Sequence, residues 1–304
     1  MRPSITLAKI ATSATWAATR QDRRKGHIVP PVLCYHRVLP PVAGLREPPD
    51  YAVTPEQFAA QMSLLNDEGF TSLTLDEYFE AANGLRKLPS RSVLVTFDDG
   101  FADNYSVAWP IARRFGVKLN LFICTGLVAG QPVPGFTEDN ARAQLSRKKF
   151  PEHWRPLSWD QVREMMAGGV GFGFHSHGHR NLARLSDMEI AGDASEGILI
   201  FREHLGNVPR FFAFPFGHYG SYPQAAIEIL TAQGIEMFFT TELGRTPVGS
   251  GGRLFSRIVI HPEDNLSSFR RKLFGGYDWV GRLRKCGYQL RASFRNDSRT
   301  FSRA

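Results

Sequence analysis

Two clusters of side chains in this sequence could do chemistry together. Asp98 and Asp99 stand side by side at the end of the most apolar run in the chain, residues 92–97, and Gly100 follows at once. Successive side chains of a strand point in opposite directions, so one carboxylate can hold a metal ion while its neighbour stays free as a base. Gly100 lets the backbone turn tightly behind them. The second cluster, His175-Ser176-His177-Gly178-His179, closes another apolar run, residues 170–174. With a helical backbone from His175 onward, His175 and His179 share one face at the spacing where two imidazoles grip one divalent cation, and His177 points elsewhere. Two imidazoles and one carboxylate with open positions form a hydrolytic metal site, where the ion lowers the pKa of water and polarises a carbonyl.

Strands and helices must bring these groups to one place. Residues 27–38 read as a buried strand carrying Tyr35 and His36 to its C-terminal edge. Thr54-Pro55-Glu56 supplies an N-cap, a first-turn proline and an early acid, and Phe58, Met62 and Leu65 follow at helical spacing. Residues 92–97 and 119–124 read as strands around a helix at 108–115. Ser158 caps a helix over 159–167 that Gly168-Gly169 ends, and residues 170–174 return as a strand. A helix from Ser186-Asp187 to about His204, strands at 211–214, 237–240 and 257–260, and a helix at 223–233 complete the alternation. Such alternation with buried strands predicts an α/β fold, a parallel sheet covered by helices, closed into a barrel or left open. In either architecture chemistry gathers at the C-terminal strand ends. Residues 130–156 break the rhythm with a long, polar, proline-punctuated stretch, read as a binding loop over those ends or a plain solvated insertion.

Composition narrows the class. A chain of 304 residues, 42% hydrophobic and 22% charged, has apolar content for a substantial core, which excludes a disordered, fibrous or disulfide-stapled miniprotein. Cys34, Cys124 and Cys286 show no paired spacing, against a disulfide framework or a thiolate zinc knuckle, so three reduced thiols are expected. The net charge of +8 sits at the ends: residues 1–26 hold six Lys/Arg against one acid, residues 266–304 hold ten against two, and the middle is left at −5. Basic ends on a mildly acidic body suit termini that meet an anionic surface, phospholipid headgroups rather than nucleic acid, for which no reading motif is present. The least polar N-terminal run, residues 5–18, is interrupted by Lys9 and is too polar for a signal peptide and too short for a bilayer span. A cytoplasmic protein is the resulting expectation, its basic ends read either as solvated tails or as a peripheral contact at the inner membrane face.

The motif text carries a resemblance. Thr96-Phe97-Asp98-Asp99-Gly100 and the His175 to His179 motif resemble the first two motifs of the polysaccharide deacetylases, carbohydrate esterase family 4 with its NodB-like homology domain. Leu157-Ser158-Trp159-Asp160, Asn181-Leu182 and Phe214-Pro215-Phe216-Gly217 agree with the family's flanking text, and the similarity spans roughly residues 29–265. It implies a distorted (β/α)7–8 barrel over residues 27–265, between a basic tail at 1–26 and a basic aromatic segment at 266–304. It also implies metal-dependent removal of N-acetyl groups from an amino-sugar polysaccharide or lipid-linked glycan. By that resemblance Asp99, His175 and His179 are the metal ligands, zinc being the expected ion, and Asp98 is the general base. Phe216 offers a backbone N–H to the oxyanion, with Phe214 and Pro215 shaping that wall, and Ser176 supports the ligand beside it.

Two departures matter. Ala213 stands where many members have an arginine that buttresses the base, so another group must orient Asp98, and the sequence leaves open which, Arg257 being one candidate. The family's general acid is a histidine after a terminal apolar strand, and two strands here end that way, at His36 and at His261. His36 lies before the Asp-Asp motif, as in a circularly permuted branch acting on bacterial exopolysaccharides, and is taken as the acid, with His261 as the alternative. Two other functions stay open: hydrolysis of another non-peptide C–N amide bond, and non-catalytic carbohydrate binding.

Overall fold

A computed structural model describes residues 30–43, 49, 51–131, 141–246 and 252–300, with side chains of the last helix described as far as Gln289. The basic tail at 1–26 lies outside these residues. Strands β1 (Val32–Tyr35), β2 (Arg37–Val38) and β3 (Ala52–Val53) precede helix α1 (Pro55–Asp67), after which come β4 (Thr71–Leu73) and α2 (Leu75–Ala82). Then follow β5 (Ser92–Asp99), a π-helical turn at Asn104–Ala108 leading into α3 (Trp109–Arg114), β6 (Asn120–Ile123), α4 (Thr125–Val128), α5 (Ala141–Lys149) and α6 (Trp159–Ala167). The remainder is β7 (Gly171–Phe174), α7 (Asp187–Leu205), β8 (Phe211–Ala213), α8 (Gln224–Ala232), β9 (Met237–Thr240), β10 (Leu254–Ser256), β11 (Ile258–Val259), α9 (Leu266–Leu273) and α10 (Asp278–Thr300).

Helix starts follow from capping chemistry. Thr54, Ser158 and Ser186 each accept a backbone N–H three residues on, and the Ser158 and Ser186 caps are reciprocated by Gln161 and Glu189; each such cap is worth about 1 kcal/mol. Phe58, Met62 and Leu65 of α1 are buried together with Phe97, Leu121 and Ile258 in the main core. Each fully buried side chain of this kind contributes roughly 1.5–3 kcal/mol.

The main sheet is parallel throughout, in the order β10-β9-β8-β7-β6-β5-β1-β11, with β4 beside the first half of β5. Its two ends belong to one piece of chain: β10 pairs with β9, β11 pairs with β1, and Arg257 alone separates them. The sheet is therefore a nearly closed barrel, and the expected strand at 257–260 is in fact its closing seam. Parallel strands place all C-terminal ends on one rim, which carries Tyr35, Asp99, Ile123, Phe174, Ala213 and Thr240.

The expected loop at 130–156 contains α5, and its Trp154 and Ala143 are buried against Leu39 and Ala52; residues 132–140 are not described. The segment after 265 opens with α9, whose Phe269 and Leu273 join the main core. Among the described residues, no helix is long and apolar enough to cross a membrane.

Candidate active site

Alternation along β5 sends Val93, Val95 and Phe97 into the core beneath the helices, and Leu94, Thr96 and Asp98 to the opposite side. Regular alternation would carry Asp99 away from Asp98. The backbone prevents this: Asp99 has φ 76°, a left-handed conformation that costs an L-residue on the order of 1–2 kcal/mol. Both carboxylates thus line one cavity of about 350 Å³ at the rim.

The His motif reaches the same cavity without being helical, contrary to the expectation. Ser176 at φ 64° and His179 at φ 46° fold the segment into a tight turn, closed by His179 N–H donating to Ser176 Oγ at 2.9 Å. The Asp193 carboxylate accepts from the backbone N–H groups of His177 and Gly178, both at 2.9 Å. The turn gives those N–H groups to α7 and still brings His175 and His179 to one side. His177 points away as expected, with Nδ1 3.1 Å from Thr125 Oγ1 and Nε2 3.0 Å from Gln131 Oε1.

Asp99 Oδ1 lies 3.6 Å from His175 Nε2 and 3.5 Å from His179 Nε2. These separations exceed hydrogen-bond length. They match the edge of roughly 3.3 Å expected for a tetrahedron of ~2.0–2.1 Å metal–ligand bonds. The Nδ1 of His175 donates to the carbonyl oxygen of Ala213 at 2.8 Å. A carbonyl can only accept, so the proton sits on Nδ1 and the Nε2 lone pair faces Asp99, as a metal ligand requires. Burial lowers both imidazoles below the usual histidine range, His179 well below it with the charge of His175 adding to the effect, while Asp98 pulls His175 the other way. Neutral imidazoles beside a carboxylate fit a divalent cation.

Asp98 is held differently. Arg257 donates from Nη1 to Oδ1 at 2.6 Å and from Nη2 to Oδ2 at 2.7 Å, both side chains being buried. Burial alone would raise the Asp98 carboxyl, but the Arg257 charge holds it well below the usual carboxylate range. The guanidinium is itself fixed by Thr240 O at 3.2 Å and lies 5.3 Å from the Phe122 ring centre. Arg257 thus holds the Asp98 carboxylate from the closing seam, while Ala213 on β8 carries no charge. Cys34 also reaches Asp98 Oδ2 through its thiol at 3.5 Å.

His36 and His261 both line the cavity, with the Tyr51 ring between them at 5.0 and 5.8 Å. Ligating atoms of Cys34, His36 and Asp98 all lie within 4.8 Å of one another. Burial lowers His36 to about 4, with Asp98 opposing. Of the three residues expected at the oxyanion wall, only Phe216 lines the cavity. Phe214 stacks on Tyr222 at 4.2 Å in the core, and Pro215 is buried beside it. Phe216 stands at φ 63°, its carbonyl taking the Thr241 hydroxyl at 2.6 Å. Tyr51, Trp154, His218 and Thr241 also line the walls; all four come from loops, and sequence reasoning did not single them out.

Comparison with known proteins agrees with this geometry. A family model described as polysaccharide deacetylase matches residues 86–238, just over half of the chain. YxkH of Bacillus subtilis is 25% identical over 239 residues, covering 79% of this chain and 74% of that protein. The poly-beta-1,6-N-acetyl-D-glucosamine N-deacetylase of Staphylococcus aureus is 23% identical over 224 residues, 71% of this chain and 70% of that enzyme. Among solved structures, IcaB from Ammonifex degensii superposes with a TM-score of 0.63 at 28% identity, covering 81% of this chain and 94% of that one. The Streptococcus pyogenes deacetylase PplD shares the fold, with a TM-score of 0.66 at 22% identity over 81% of this chain and 99% of its own.

Proposed function

This chain belongs to the polysaccharide deacetylase family, and from that premise we propose that it hydrolyses N-acetyl groups on the amino sugars of a polysaccharide, with Asp98 as base and His36 as acid. The observation that carries the reading is the division of labour between adjacent carboxylates: Asp99 faces two imidazoles while Asp98 is clamped by Arg257. A non-catalytic binding barrel has no need of that arrangement.

Asp99, His175 and His179 would hold a divalent cation, zinc by the chemistry of the donor set. When bound, such an ion supplies Lewis acidity, lowering the pKa of water and polarising the amide carbonyl. Asp98, kept anionic by Arg257, takes the proton from the attacking water. The Phe216 N–H donates to the oxyanion as the acetyl carbon becomes tetrahedral, a contribution that typically amounts to about 3–4 kcal/mol. His36 gives a proton to the departing sugar nitrogen. Burial lowers His36 to about 4, so it rests neutral at pH 7. Its proton must therefore arrive during turnover, and Asp98, which has just gained one nearby, is the source. Tyr51 and Trp154 at the cavity wall provide apolar faces for sugar rings. The named substrate of the S. aureus relative makes poly-β-1,6-N-acetylglucosamine oligomers the first choice.

Acetate release from such oligomers, measured with bound metal quantified in parallel, tests the reading. Asp98→Asn and His36→Ala should each retain metal and lose turnover about 10²–10⁴-fold. Full turnover in Asp98→Asn would refute the assignment, and metal retention without acetate release in the wild type would favour the binding barrel.

A further inference from the structure

Helix α10 carries a pattern that the cavity does not use. It docks on the barrel through one face. Asp278 accepts from Arg245 Nε at 2.8 Å, Gly281 lies so close to the Leu243 carbonyl that a Cβ would fall 1.6 Å from it, and the Tyr288 ring stacks 5.3 Å from that of Tyr219. The opposite face holds Leu283, 62% exposed, and the exposed Cys286. In the sequence, Leu290 and Phe294 continue the spacing of four and three that keeps residues on one helical stripe. Arg282, Arg284, Lys285, Arg291 and Arg295 fill the other positions, and no acid occurs between Asp278 and Asp297.

We propose that α10 seats the protein on an anionic lipid bilayer, its apolar stripe lying in the headgroup boundary and its arginines and lysine meeting lipid phosphates. Charge and apolarity together select this partner. A nucleic acid would take the cations but leave Leu283 in water, because its charged backbone offers the stripe no apolar surface. A second copy would take the stripe but bring two uncompensated rows of arginine together, since α10 supplies no acids to pair with them. An anionic bilayer accepts both, and an amphipathic basic helix lying in the interface plane is its usual mode of engagement. The location gives the contact a purpose. Tyr219 belongs to the loop that carries Phe216 and His218 of the cavity wall, so docking through α10 brings the cavity mouth beside the membrane surface. The inference stands whatever bond the cavity hydrolyses.

Cys286 supplies the probe, because Cys34 and Cys124 are buried and only Cys286 is open to a maleimide dye. Full-length protein labelled there with an environment-sensitive fluorophore should blue-shift on vesicles of phosphatidylglycerol and phosphatidylcholine, and stay unshifted on phosphatidylcholine alone. Unlabelled protein should sediment with the anionic vesicles, and rising ionic strength should weaken the binding. Leu283→Glu and Arg284→Glu should each lower partitioning about tenfold or more with melting unchanged, since these side chains are exposed. No shift on anionic vesicles at low ionic strength would overturn the proposal. So would retention of binding in Leu283→Glu, an equal shift on single-stranded DNA, or a shift that grows with protein concentration in the absence of lipid.

Discussion

Removing Arg257 should do two separable kinds of damage. The side chains of Arg257 and Asp98 are 0% and 2% exposed, joined by two hydrogen bonds of 2.6 and 2.7 Å. Taking away one partner of such a buried pair leaves a desolvated charge uncompensated, which costs about 3–5 kcal/mol. For a chain of this size, about 2 °C of melting temperature accompanies each kcal/mol, so Arg257→Met should melt roughly 6–10 °C below wild type. Turnover should fall as well, because burial favours the neutral form of Asp98 once the opposing guanidinium is gone. Arg257→Lys should recover part of each loss, as one ammonium cannot bridge both carboxylate oxygens. The diagnostic variant is the double Asp98→Asn, Arg257→Met. It contains no orphan charge and should melt above Arg257→Met while remaining inactive. Scanning calorimetry of the four proteins, with acetate release alongside, makes the comparison. An Arg257→Met protein melting within about 2 °C of wild type, or a double variant no more stable than it, would refute the idea that a charge pair is what Arg257 contributes.

Other outcomes follow from the same geometry. His179→Ala should lose most bound metal by elemental analysis, whereas His261→Ala, altering an exposed residue at the cavity rim, should keep both metal and most of the turnover that His36→Ala loses. Glu242 accepts from the Tyr222 hydroxyl at 2.7 Å, and burial raises its carboxyl above the usual range despite the opposing tyrosines, Lys285 and His218. A raised acid contributes stability that is full at low pH and lost as pH climbs through the folded-state pKa. Melting of Glu242→Gln should therefore gain on wild type as pH rises out of the acid range; a difference independent of pH would contradict this. Gly173 sits where a Cβ would fall 2.5 Å from the Phe122 ring, so Gly173→Ala should cost about 1–3 kcal/mol in denaturant unfolding.

How much of this was legible in the sequence differs by residue, for physical reasons. Capping is local chemistry, so Thr54, Ser158 and Ser186 mark helix starts correctly. The pair β4 and α2 escaped notice: a strand of three residues shows no periodicity, although Thr74 and Glu77 form a capping box that could have announced the helix. Asp98, Asp99, His175 and His179 were legible because each follows an apolar strand whose end must lie on the common rim. Arg257 could be named but not assigned, since only the closing seam reveals that a residue 159 positions away meets Asp98. The buried pair of Arg37 and Asp103, with Arg37 stacked on Phe101 and Trp154, has the same long-range character and no local signal.

Backbone strain is the part of the site that residue types conceal most completely. Among the described residues, five that are not glycine take positive φ: Tyr51, Asp99, Ser176, His179 and Phe216. Four of them line the cavity, and Ser176 sits between the two histidines. Each such conformation costs on the order of 1–3 kcal/mol and persists only where surrounding bonds over-determine it. Those bonds are present: Asp193 holds the His177 and Gly178 amides, Thr241 holds Phe216, and β6 continues alongside Asp99. The regular alternative explains the expenditure. With ordinary alternation, Asp99 would leave the cavity and one carboxylate would have to serve as both ligand and base. Strain at Asp99 and in the His turn is thus what brings both carboxylates and both imidazoles to one cavity, as the proposed division between ligand and base requires, and the barrel supplies the rigidity that keeps it from relaxing.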